Sequence, residues 1–137
     1  MAYEFTLRVY FEDTDAGGIV YYGNYLKFME RARSQWFIDC SIGMKGLMEQ
    51  HGLVFVVSRT ELNYKRSAKL EDVLKVSVEL TELKRVSAVF KQEVRCQGML
   101  MCEGLTRVGC VDTQTLRPKP IPDEVFKQLQ AIMLENG

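Results

Sequence analysis

The sequence predicts an α+β domain: five antiparallel strands and a long amphipathic helix that follows the first of them. Three observations lead there. Glu4 to Phe11 alternates, with Phe5, Leu7, Val9 and Phe11 on one side and Glu4, Thr6, Arg8 and Tyr10 on the other, the period-2 mark of a half-buried strand. From about residue 22 to residue 38 the period becomes helical: Tyr25, Phe28, Met29, Ala32 and Trp36 form one apolar stripe. From Leu53 onward, strand-like stretches follow one another, mostly through short turns, which antiparallel pairing allows and parallel pairing does not.

The remaining elements fall in order. Gly23 and Asn24 suit the N-terminal boundary of the long helix. Lys27, Glu30, Arg31 and Ser34 mark its polar side, while Leu26, Phe37 and Ile38 widen its apolar arc, as expected of a helix wrapped by a sheet. Ser41 and Gly43 punctuate, and Met44 to Gln50 reads as a short helix stopped by Gly52. Leu53–Tyr64, Val73–Leu83, Val86–Cys96 and Leu100–Asp112 read as strands, with Lys84-Arg85 and Gln97-Gly98-Met99 as turns. Arg117-Pro118-Lys119-Pro120 is an extended exit, and Pro122-Asp123-Glu124 starts a last helix whose apolar face is Val125, Phe126, Leu129, Ile132 and Met133. No repeat or linker interrupts the 137 residues, so residues 1–137 form a single domain, long enough to bury a core.

Composition narrows the function. Lys plus Arg and Asp plus Glu are 18 each, which argues against a dedicated nucleic-acid binder, whose affinity rests on phosphate neutralisation. A chain near neutrality with 47 % apolar residues is also prone to self-association, so a homo-oligomer is expected. No apolar run reaches the roughly 20 residues of a membrane span, and Met1-Ala2-Tyr3-Glu4 lacks the basic start of a signal peptide. Cys40, Cys96, Cys102 and Cys110 have no metal-ligand spacing and the chain has one histidine, His51. Reduced thiols in a cytoplasmic protein are the expectation, with no metal.

Standard catalytic machinery is missing. No Gly-x-Ser-x-Gly, P-loop or Gly-x-Gly-x-x-Gly pattern occurs, and any Ser–His or Cys–His pair would need His51, in the polar turn Glu49-Gln50-His51-Gly52. Carboxylates remain. Glu12, Asp13 and Asp15 stand at the end of the first strand, just before Gly17, Gly18 and the helix start. Alternation would place Asp13 and Asp15 on one face, where one acid reacts and the other supports it; acids in this place also cap helices and complement their dipoles. Basic loops at Lys84-Arg85 and at Lys65, Arg66 and Lys69 are either phosphate contacts or solvated turns. Ser58, within an apolar strand, faces either a ligand channel or solvent.

The run Arg8-Val9-Tyr10-Phe11-Glu12-Asp13-Thr14-Asp15-Ala16-Gly17-Gly18-Ile19-Val20-Tyr21, with Asn24-Tyr25 and Glu30-Arg31-Ala32-Arg33, closely resembles the tol-pal system-associated acyl-CoA thioesterases, in the 4-hydroxybenzoyl-CoA thioesterase group of hotdog-fold proteins. The resemblance extends over almost the whole chain. It implies a hotdog fold, a five-stranded antiparallel sheet wrapped around a long central helix, assembled as dimers and then as a dimer of dimers, with the site between subunits. It implies hydrolysis of a short-chain or aromatic acyl-CoA without a cofactor. The second Asp of the motif, Asp15, is then the nucleophile or general base, and the backbone N–H of Tyr22 polarises the thioester carbonyl. Many tol-pal members carry His where this chain has Tyr22; the hydroxybenzoyl-CoA enzymes carry Tyr, and a backbone donor survives either residue. Gly23, Asn24, Val57 and Ser58 are candidate substrate contacts. Lys84 and Arg85 match the loop that meets the coenzyme A phosphates. An acyl carrier protein is an alternative source of the thioester. A non-catalytic acyl-carrier or cell-envelope (tol-pal) adaptor of the same fold is the alternative function.

Overall fold

The computed structural model describes residues 3–136. Met1 and Ala2, the start of the segment read as lacking a signal peptide, lie outside them. The strands are β1 (Tyr3–Arg8), β2 (Leu53–Tyr64), β3 (Val73–Leu83), β4 (Ser87–Cys96) and β5 (Met99–Asp112); the helices are α1 (Asn24–Asp39), α2 (Met44–His51) and α3 (Asp123–Asn136).

All five strands join one antiparallel sheet in the order β1-β3-β4-β5-β2. Consecutive strands from β3 to β5 are neighbours, as the short turns require. β2 is the exception: it pairs only with β5 and forms an edge, so the chain crosses the sheet before entering β3. Ser58 occupies an irregularity in that edge, where the register slips between Val57 and Arg59.

One face of the sheet holds the core. Leu74, Val76, Val78 and Leu80 of β3 and Ala88, Phe90 and Val94 of β4 are buried there, at the alternate positions that the pleat predicts. α1 buries Tyr25, Phe28, Met29, Ala32, Trp36 and Phe37 in the same cluster. Trp36 meets Phe90 edge to face at 5.2 Å, and Phe37 stacks on Phe55 at 5.5 Å. Gly104 marks the closest approach: a Cβ there would fall 2.5 Å from Leu62 Cδ2 and 3.2 Å from Met29 Sδ. α1, with 16 residues, is the longest helix but does not cover the face alone, because α2 and α3 add Leu47, Val125 and Leu129 to the same core. The five-stranded antiparallel α+β sheet of the hotdog expectation is present.

The structure corrects the first strand. It ends at Arg8, and Phe11–Asp13 forms a 3₁₀ turn. Phe11, expected inward, is 81 % exposed. The cause is local: the Asp13 carboxylate accepts the Tyr10 N–H at 2.8 Å, and that bond folds the chain back before alternation can continue. Arg33, Gln92 and Thr106 are polar residues buried on the covered face. Arg33 on α1 is only 8 % exposed and donates from Nη1 to Gln92 Oε1 at 2.8 Å, and Gln92 Nε2 donates to the Met29 carbonyl at 3.0 Å. Burial lowers the Arg33 pKa from its ordinary value. Cys102 and Cys110 are buried, Cys40 and Cys96 are partly buried, and all four thiols are free. His51 is partly buried, with Nε2 3.2 Å from Glu124 Oε1.

Candidate active site

The three acids before α1 have different surroundings. Glu12 is exposed. Asp13 is buried to 9 % exposure, and its groups are committed. Its carboxylate holds Tyr10 N–H, and its carbonyl accepts Tyr21 N–H at 3.1 Å and Asn24 Nδ2 at 2.8 Å. It therefore ties the 3₁₀ turn to the helix start. Asp15 is exposed and accepts one hydrogen bond on its side chain, from Gly17 N–H to Oδ1 at 2.9 Å. The shared face that alternation predicts for Asp13 and Asp15 is absent, because the strand has already ended.

Asp15 sits in a pinned loop. Its N–H donates to the Ile19 carbonyl at 2.9 Å, and its carbonyl accepts Gly18 N–H at 3.1 Å. Gly18 has φ +78°, with nothing within 4 Å of where a Cβ would be, so glycine is needed there for backbone conformation and not for space. The loop is held from outside by Val20 N–H to the Ala68 carbonyl at 2.8 Å and Leu70 N–H to the Gly18 carbonyl at 3.1 Å.

The start of α1 is uncapped. Gly23 at the N-cap offers no side chain, and the first turn has no acid. Tyr25 N–H reaches the Tyr22 carbonyl at 3.4 Å and Leu26 N–H reaches the Gly23 carbonyl at 3.3 Å. Among the described residues, the N–H groups of Tyr22 and Gly23 meet no protein acceptor. Free N–H groups at a helix start carry the positive end of its dipole. A Cβ at Gly23 would lie 2.8 Å from the ring of the exposed Tyr21, which would have to shift to admit one.

Asp15 and this helix start line one cavity of about 260 Å³. Tyr22, Tyr25 and Tyr64 form an aromatic wall, Ile19 and Val20 an aliphatic one, and Lys65, Arg66 and Ser67 a polar rim. The Tyr22 and Tyr64 rings meet at 6.0 Å and 89°, and Tyr25 and Tyr64 at 5.7 Å and 64°. Tyr64 Oη donates to the Tyr22 carbonyl at 3.3 Å, and Tyr25 Oη accepts Ala68 N–H at 3.0 Å. Burial raises the phenol pKa of both Tyr25 and Tyr64 above the ordinary value. Of residues 64–67, the sequence marks Lys65 and Arg66 only as a basic loop, either phosphate contacts or a solvated turn, and does not mark Tyr64 or Ser67 as site residues. They follow the second strand, far along the chain from Asp15, and their charges look like those of a solvated turn. The lone aromatic ending a polar strand terminus, Tyr64, was the available signal.

The other candidates lie elsewhere in the chain. Asn24 directs its amide to the Asp13 carbonyl and serves the helix start. Val57 pairs with Val108, Ser58 donates to the Arg107 carbonyl at 3.3 Å, and Ser87, next to the Lys84-Arg85 turn, pairs with Gly109. Tyr64 pairs with Cys102. At the usual strand rise, Gly109 and Cys102 are about 23 Å apart along β5. Within one chain, then, Asp15, Tyr22 and Gly23 come together, while Val57, Ser58, Lys84 and Arg85 lie toward the opposite end of the sheet. Lys84 Nζ is also 3.8 Å from Glu82 Oε1.

Comparison with known proteins places this geometry among relatives. The sequence model of the thioesterase-like superfamily matches residues 9–129. The acyl-CoA thioesterase YbgC of Haemophilus influenzae is 37 % identical over 123 residues, covering 90 % of this chain and 90 % of that protein. The acyl-CoA thioester hydrolase YbgC of Escherichia coli is 35 % identical over 130 residues, covering 92 % of this chain and 96 % of that protein. Among solved structures, a DHNA-CoA thioesterase from Staphylococcus aureus superposes with a TM-score of 0.87 at 26 % identity, over 99 % of this chain and 95 % of that one.

Proposed function

The chain belongs to the thioesterase-like superfamily, and from that premise we propose that it hydrolyses an acyl-CoA to the free acid and coenzyme A with Asp15 as the reacting carboxylate. One observation carries the reading: a carboxylate with a single hydrogen bond among the described residues shares a cavity with the uncapped, dipole-positive start of a helix.

The thioester carbonyl oxygen takes the free N–H of Tyr22, so that negative charge developing on it meets fixed donors; one such donor is worth roughly 3 kcal/mol. Asp15 then acts in one of two ways. As nucleophile it adds to the carbonyl carbon, expels the thiolate and leaves a mixed anhydride that water cleaves, restoring the carboxylate. As general base it takes a proton from water, the hydroxide adds, and the tetrahedral intermediate expels the thiolate, which recovers the proton. The thiolate needs little assistance, since thiols ionise several pH units below alcohols. The tyrosine wall suits a short or aromatic acyl group.

The edge strand supports a partner of the same kind. Val57 is 53 % exposed on β2, an edge with unpaired backbone groups and apolar side chains. Antiparallel pairing of two such edges about a two-fold axis would bring the Val57, Ser58 and Lys84-Arg85 end of one copy toward the Asp15 end of the other. The expected assembly is this dimer, doubled into a tetramer. The free thiols fit the reducing cytoplasm. A protein-bound phosphopantetheine thioester from an acyl carrier protein presents the same reacting group as coenzyme A. A role beside the tol-pal system belongs to the same reading.

The test is thiol release across short, long and aromatic acyl-CoAs, run on wild type and Asp15→Asn together. The expected result is release by wild type that the variant loses. Equal release by both proteins would overturn the role of Asp15.

A further inference from the structure

We propose that Tyr64 is a positioning residue: through the Tyr22 carbonyl its hydroxyl holds the Tyr22–Gly23 peptide and fixes the free Gly23 N–H as a second donor beside the Tyr22 N–H that the thioester carbonyl takes. The proposal rests on the thioesterase reading of that cavity. It begins from a weakness in the helix start. The first N–H of α1, that of Asn24, donates to the Tyr21 carbonyl at 2.9 Å, whereas among the described residues the helix holds the next acceptor, the Tyr22 carbonyl, only through Tyr25 N–H at 3.4 Å. The next residue, Gly23, has no side chain to fix its own torsions. A donor outside the helix has to settle the orientation of that peptide, and Tyr64 Oη supplies one at 3.3 Å.

Tyr64 is itself braced. Its ring meets Tyr22 and Tyr25 edge to face, and Tyr25 is buried and anchored by the Ala68 N–H. Burial keeps the Tyr64 phenol above its ordinary pKa, so it remains a proton donor throughout the neutral range. Two consequences follow for the donors. The carbonyl of Tyr22 and the N–H of Gly23 belong to one peptide, so fixing the first directs the second. A hydrogen bond accepted by a carbonyl also polarises the peptide and strengthens its N–H as a donor. Oxyanion stabilisation depends on donors already in place when charge develops, so the loss of this brace should weaken the transition state more than the bound substrate.

The test compares Tyr64→Phe, which keeps the ring, with Tyr64→Leu, which removes it. Tyr64→Phe is expected to lower kcat about ten-fold at unchanged KM and melting temperature, the size of a modest displacement of a catalytic donor. Tyr64→Leu is expected to raise KM as well, because a cavity wall is gone. In Tyr64→Phe the Gly23 amide resonance must shift, and in a remote control, Tyr3→Phe, it must not. Wild-type kcat in Tyr64→Phe, or a loss confined to KM or to melting temperature, overturns the positioning role while leaving Asp15 untouched. A wild type that releases no thiol from any acyl thioester overturns the function instead, and the Gly23 resonance still decides whether Tyr64 holds the peptide.

Discussion

At its C-terminal end α1 gives the Asp39 carboxylate to Tyr3 Oη at 2.8 Å and to Gln35 Nε2 at 2.9 Å, and the Cys40 carbonyl beyond it accepts Gln128 Nε2 at 2.8 Å. At its N-terminal end the cap is a glycine, two backbone N–H groups point at no protein acceptor among the described residues, and Asp15 has one hydrogen bond. The first end spends its polar groups on joining β1, α1 and α3. The second keeps them uncommitted beside a cavity. Water can serve the free groups of an exposed helix terminus, and Tyr22 and Asp15 are exposed, so the contrast identifies where this fold keeps donors and a carboxylate available to a ligand.

The contrast can be broken from either side. The largest expected effect is at the uncommitted end: Asp15→Asn should cut thiol release about 10³-fold, the range of a lost general base or nucleophile, with an unchanged melting curve. A retained rate would separate the cavity from the chemistry. Next is the packing beneath the helix. Gly104→Ala places a Cβ 2.5 Å from Leu62 and 3.2 Å from Met29, and should cost about 1–3 kcal/mol in urea denaturation; a neutral result would show that α1 rides more loosely on the sheet.

Acid titration tests the committed end. The hydrogen bonds from Tyr3 and then Gln35 hold the Asp39 carboxyl below its ordinary pKa. A depressed folded-state pKa contributes stability that is present above the unfolded value, about 4, and is lost as pH falls through the folded value. Thermal melts from neutral pH downward should therefore show wild type losing its advantage over Asp39→Asn below about pH 4. At the alkaline side, burial raises the Cys102 thiol to about 11. A raised pKa keeps its stabilising contribution below the unfolded value and loses it as pH rises through the folded one, so Cys102 should resist alkylation at neutral pH, while Cys40 and Cys96, only partly buried, should react first. The smallest effect is expected at Tyr22→Phe, which keeps the backbone donor and should remain within about three-fold of wild type.

How far the sequence discloses this molecule depends on how local each cause is. β3 runs from Val73 to Leu83 as its alternation predicts, because each residue answers to one pleat. β1 stops early because Asp13 captures the Tyr10 N–H, a side-chain bond that hydrophobic alternation does not register. The position of β2 at the far edge has no local signal at all. Arg33 was legible in principle: it falls four residues after Met29 and four before Phe37, on the apolar face, and Gln92 falls between Phe90 and Val94 on the inner side of β4. Each supplies the partner that the other's burial demands. The cavity was half legible. Asp15, Ile19 and Tyr22 lie close along the chain and come from one motif, whereas Tyr64, Lys65 and Arg66 join them only through the sheet.

Asp13 and Asp15 are two residues apart and offer the most direct test of the central claim, that one carboxylate builds the helix start and the other reacts beside it. Thiol release and melting temperature should be measured for Asp13→Asn and Asp15→Asn on the same acyl-CoA. The account predicts that Asp13→Asn lowers the melting temperature and keeps most of the turnover, while Asp15→Asn keeps the melting temperature and loses the turnover. Equal loss of turnover at both positions, or none at Asp15, would contradict it.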